Sequence, residues 1–218
     1  MHIGECMEYF RKYTSALIFL LALACALSLP YLYESQTLWY KIGLDKTLLR
    51  LGQISGMIAL VLLFSQIVLA VAGRFLEKSF GLKNIMAWHR ANGLLILFFA
   101  VLHVLLILVP EGLENLPIGF KFWPEMVGAL LFWIILAMVI SSRYRQALHL
   151  DYRRWRAIHK PLGYLTPVII VVHVLYVSDS FSHNVPKTIL LLAFALLCLR
   201  VFWVKGTAFL QNRKDKSV

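Results

Sequence analysis

Six times in 218 residues the sequence enters an apolar stretch long enough to cross a bilayer, at about 14–33, 53–72, 88–109, 125–140, 159–177 and 187–203. Backbone amides in hydrocarbon find no water to bond, so stretches of this length resolve as α-helices. The expected fold is all-α, an integral membrane six-helix bundle over 14–204, with a tail over 1–13 and a basic tail over 205–218. A 60% hydrophobic content against 15% charged, with mean hydropathy +0.74, excludes an ordinary soluble domain. There is room for one bundle and no second domain. The first stretch, ending in Ala26-Leu27-Ser28, also has features of a cleaved signal peptide. Its length and the even number of spans favour a retained helix.

The charges orient this bundle. Of a formal net charge of +11, most is carried by alternate connections: Arg11 and Lys12 before the first stretch, Arg74, Lys78 and Lys83 after the second, Arg143, Arg145, Arg153, Arg154 and Arg156 after the fourth, and Lys205, Arg213, Lys214 and Lys216 at the end. Cytoplasmic loops are the ones enriched in Lys and Arg, so both termini are expected in the cytoplasm. The pattern also argues against a nucleic-acid partner, because the charge forms no separate basic module. Membrane lipid headgroups or an acidic partner remain suitable neighbours for that face.

Within this frame two helices carry a repeated polar pattern. His89 and His103 stand fourteen residues apart, and His159 and His173 repeat that spacing seventy positions later. Fourteen steps of about 100° return to within roughly 40° of the start and rise about 21 Å, so each helix presents two imidazoles on one face at two depths. The third and fifth spans run the same way, which sets His89 level with His159 at the cytoplasmic boundary and His103 level with His173 in the outer half. Neutral imidazole is a usual ligand of heme iron, and two stacked six-coordinate irons would use all four rings. A proton or metal-ion relay is the competing reading of polar side chains at these depths.

Gly93 and Gly163 each follow an inner histidine by four residues. A missing side chain there suits the approach of a flat macrocycle and equally suits close helix packing. Arg90 and Lys160 could pair with heme propionates or act as cytoplasmic anchors. Arg50 lies on the outer, charge-poor side, where a propionate or an anionic acceptor would account for it and the topology rule does not. No carboxylate lies within either histidine helix, which disfavours a zinc or di-iron site. Cys6, Cys25 and Cys198 have no ligand spacing. His2, His149 and His183 fall in the tail and loops, where solvation is the ordinary expectation.

Taken together, Leu49-Arg50-Leu51-Gly52 with Ser55-Gly56, Trp88-His89-Arg90 with Gly93 and His103, and Trp155-Arg156-Ala157-Ile158-His159-Lys160 with His173 resemble the ferric reductase-like transmembrane domain family. That family includes ferric-chelate reductases, the membrane half of NADPH oxidases and the heme subunit of bacterial methionine sulfoxide reductase systems. The resemblance spans about 48–203. It implies two b-type hemes, the inner on His89 and His159 and the outer on His103 and His173, with Arg50 beside the outer one. It also implies an oxidoreductase subunit that takes electrons from a cytoplasmic flavin and releases them at the outer face.

About fifteen residues follow the last span, without a Gly-rich nucleotide fingerprint, so the expected donor is a separate flavoprotein carrying FAD or FMN, or a membrane quinol, unless the chain is part of a longer polypeptide. Ferric chelate is the expected acceptor, with dioxygen or a periplasmic redox protein as alternatives, and the expected location is a bacterial cytoplasmic (inner) membrane. A colourless protein would instead favour the ion-relay reading.

Overall fold

The computed structural model describes residues 3–71, 73–112 and 116–214. His2 and Lys216 lie outside the described residues, as do the side chains of Cys6, Arg74, Arg213 and Lys214. The described chain forms α1 (Ile3–Leu32), α2 (Gln36–Trp39), α3 (Gly43–Ala70), α4 (Gly73–Phe80), α5 (Leu82–Glu111), α6 (Trp123–Arg143), α7 (Tyr152–Val177) and α8 (Asn184–Lys214). There are two 3-10 turns, at Phe120–Phe122 and Asp179–Ser182, and no strand among the described residues. Six helices, all but α2 and α4, are long and apolar enough to cross a membrane.

Local chemistry sets the ends of these helices. Gly81, at φ +76°, separates α4 from α5, and Gly112, at φ +82°, follows α5 while its N–H bonds to the Leu108 carbonyl. Both turns use a left-handed backbone that costs glycine little. At the start of α6, Pro124 occupies a first-turn position where its missing N–H leaves no bond unmade. Asp151 caps α7 by accepting from the Arg153 N–H at 3.1 Å.

α3 lies at the centre, against α5 along its length and also against α1, α7 and α8, while α6 lies against α7 and α5. Met57, Leu60 and Leu63 of α3 meet Ile96 of α5, Leu131 and Ile135 of α6, and Ile170 and Val171 of α7 in one buried cluster. The outward faces carry exposed Leu, Phe and Trp such as Leu105, Trp133 and Leu196, as expected where lipid replaces water. α5 and α7, which carry the four histidines, are not a close-packed pair. Each leans on a histidine-free partner, α3 for α5 and α6 for α7.

Candidate functional site

At one level of the bundle stand His103 and His173, each fourteen residues along its helix from a histidine of the His89–His159 ring pair. His103 Nδ1 lies 2.8 Å from the Gly52 carbonyl of α3, and His173 Nδ1 lies 2.9 Å from the Pro124 carbonyl of α6. A carbonyl can only accept, so each Nδ1 carries the proton and each Nε2 keeps its lone pair.

The same device serves both rings. Four residues after each accepting carbonyl comes a glycine, Gly56 after Gly52 and Gly128 after Pro124. A Cβ on Gly56 would come within 2.9 Å of His103 Nδ1, and one on Gly128 within 2.6 Å of His173 Nδ1. Each glycine thus clears the space through which an imidazole reaches a helix carbonyl.

At the other level, the His89 and His159 rings lie 6.5 Å apart centre to centre, inclined at 66°. His159 is stacked on Trp155 at 4.7 Å, and its Nδ1 has only the Ser142 hydroxyl at 3.5 Å. The Gln66 amide nitrogen donates to the His89 carbonyl at 3.0 Å and stands 3.3 Å from His89 Nε2. Asn92, 8% exposed, fixes that amide by donating to Gln66 Oε1 at 2.7 Å and to the Leu62 carbonyl at 2.9 Å. His89 Nδ1 and Trp155 Nε1 are buried without a hydrogen-bond partner.

The matched levels make α5 and α7 parallel. The other residues singled out from the sequence sit as follows. Gly93 and Gly163 are not tightly packed, since an added Cβ would meet nothing nearer than Gln66 Nε2 at 3.5 Å and Met138 Cε at 3.8 Å respectively. Arg50, two residues before the carbonyl that holds His103, pairs with Glu34 and lies over the Tyr31 ring at 4.9 Å. Its carboxylate partner was not evident from sequence, because sixteen residues and the α2 turn separate the two. Arg90 is exposed beside His89. His183 is exposed with its ring 4.9 Å from that of Tyr33, and His149 is exposed in the α6–α7 turn.

Among the described residues no three His, Cys, Asp or Glu side chains converge as a metal-binding group. Each level therefore offers a pair of imidazoles, suited to a metal whose remaining ligands come from a macrocycle. Gly52, Gly128, Pro124, Gln66 and Asn92 were not singled out as site residues from the sequence. Gly52 stands in the run Leu49-Arg50-Leu51-Gly52 that carries the family resemblance, and no sequence signal pointed to the other four.

No curated protein matches the chain. A family model described as "Ferric reductase like transmembrane component" matches residues 55–171, just over half of the chain, taking in His89, His103 and His159 and ending two residues short of His173. The chain belongs to the ferric reductase-like transmembrane family, an oxidoreductase-related and generally heme-associated group of membrane proteins to which a role in electron transfer across the bilayer attaches.

Proposed function

We propose that the protein is a di-heme b-type electron conduit, with an inner heme between His89 and His159 and an outer heme between His103 and His173. The observation that carries this reading is the contact of the His89 and His159 rings, with His103 and His173 each fourteen residues further along the same two helices and each bonded to a backbone carbonyl. Two metal–nitrogen bonds of about 2 Å, with roughly 1 Å from each nitrogen to its ring centre, separate the centroids of a bis-imidazole site by about 6 Å. The 6.5 Å between His89 and His159 is of that size. The loose surroundings of Gly93 and Gly163 favour room for a macrocycle over close helix packing as the reason for those glycines.

Heme held in this way supplies one-electron iron chemistry. The chain's own residues do the positioning. The Gly52 and Pro124 carbonyls fix the tautomer and plane of the outer rings. Binding at His89 Nε2 requires the Gln66 amide to move aside, while the Trp155 N–H, buried without an acceptor, and the exposed Arg90 suit a carboxylate such as a propionate. Arg50, already neutralised by Glu34, lies at the outer level and shapes the field there.

On the charge rule, the His89 end faces the cytoplasm of a bacterial inner membrane, with both termini on that side. Electrons enter there from a cytoplasmic flavoprotein or from quinol and leave at the outer face to ferric chelate. Dioxygen or a periplasmic redox protein are the alternative acceptors.

Heme counting by pyridine hemochrome tests the assignment. Wild-type protein should carry two hemes per chain, and His103→Leu or His173→Leu should keep one. Two hemes in both variants would overturn the assignment, and a colourless wild type would return the histidines to an ion relay.

A further inference from the structure

We propose that Gly56 and Gly128 are positioning residues which, by admitting His103 and His173 to backbone carbonyls, make the outer centre the lower-potential of the two. The proposal rests on the two-heme reading. Its starting point is a difference in how firmly the histidines are held. Both outer Nδ1–H groups donate to carbonyls at 2.8 and 2.9 Å. On the inner side His159 has a hydroxyl at 3.5 Å, too long for a good bond, and His89 Nδ1 has no partner.

An acceptor on Nδ1–H pushes electron density onto Nε2 and makes the imidazole a stronger donor to iron. A stronger donor favours the more highly charged ferric state, which lowers the reduction potential. The charges facing each centre act in the same direction. At the outer level the positive charge of Arg50 is offset by Glu34. The inner histidines are instead flanked by Arg90 and Lys160, whose positive charge favours the ferrous state.

The glycines make this difference possible. In a helix the residue four positions on lies over a given carbonyl on the N-terminal side of its own Cα, so any side chain there obstructs a ring approaching the oxygen. Alanine at either position would collide with the imidazole. With both hemes bound, the transfer would make and break no bond: the electron given up by an inner ferrous heme, left ferric, would be the one gained by an outer ferric heme, left ferrous. With this ordering the step is uphill, and the outer ferrous centre is the stronger reductant offered to the acceptor.

Redox titration of the two-heme protein in nanodiscs provides the test. Two waves are expected, and His103→Leu should remove the lower one. Gly56→Ala and Gly128→Ala should either shed the outer heme alone or raise the lower wave, changing its ferrous-to-ferric ratio at fixed potential at least tenfold, which is about 59 mV for one electron. Gly206→Ala, in α8 with nothing within 4 Å, should change neither wave.

A readout without heme is the tautomer. In the heme-free chain, histidine 15N shifts should report Nδ1–H at both outer rings, and the alanine variants should lose that signature. Loss of the higher wave in His103→Leu, or alanine variants with both waves and the tautomers unchanged, would overturn the proposal. If an alanine variant does not fold, the wild-type tautomers and the His103→Leu ordering decide. A wild type without two hemes sinks the functional reading itself, whereas two hemes in the reverse order sink only this inference.

Discussion

Asn92 is a buried amide whose nitrogen is committed to the Leu62 carbonyl, Gln66 Oε1 and, at 3.3 Å, the Ser65 hydroxyl. Because Gln66 Oε1 is held, its nitrogen must face His89, so a residue that never touches the ring decides what the ring meets. Asn92→Leu leaves Gln66 Oε1 without its donor inside the bundle, an unsatisfied group worth about 1–3 kcal/mol. The thermal midpoint of the heme-free chain in detergent should fall. An unchanged midpoint would argue that Asn92 does not hold the Gln66 amide. The histidines were legible in the sequence because a spacing of fourteen is local and survives without knowledge of neighbours. Their acceptors were not, because Gly52, Pro124 and Gln66 come from other helices, and a backbone carbonyl has no residue identity to read.

α7 shows how an element can keep its helix in lipid despite two internal prolines. Pro167 has no N–H for the Gly163 carbonyl one turn earlier, and the Thr166 hydroxyl donates to that same carbonyl at 3.0 Å. Thr166→Val should therefore leave a carbonyl orphaned and cost about 1–3 kcal/mol. Pro167→Ala in the same chain should return most of that, since the restored N–H takes over the bond. Thermal unfolding of the two single variants and the double variant gives the coupling, and strictly additive effects would contradict the account. At this scale the six spans were legible as apolar runs, because hydropathy marks what lies in lipid. Helical hydrogen bonding follows a different rule and continues through charged residues, so α3 begins at Gly43 and includes Asp45, Lys46 and Arg50.

Across the whole molecule the two ends treat their cations differently. At the His103 end Lys41 pairs with Glu111 at 3.3 Å, and both Lys46 and Arg50 pair with Glu34. At the His89 end Arg90, Arg143, Arg153, Arg154, Arg156 and Lys160 make no ion pair among the described residues. There the stack from Tyr152 through Trp155 to His159 leads from the surface to the proposed inner centre, with Arg145 and Arg156 over the Tyr152 ring. Unpaired charge around a redox centre steers an oppositely charged partner, and such attraction is screened by salt. Reduced flavodoxin, an acidic flavoprotein used as a probe, should therefore reduce the nanodisc-held protein about tenfold more slowly at 300 mM salt than at 50 mM. Arg153→Gln with Arg154→Gln should slow the reaction at low salt and flatten its salt dependence, while dithionite still reduces both hemes fully. Stopped-flow heme absorbance separates the outcomes. A rate indifferent to salt and to the arginines would mean that this charge only orients the chain in the membrane, since an encounter controlled by attraction cannot ignore both the screening ions and the loss of two charges.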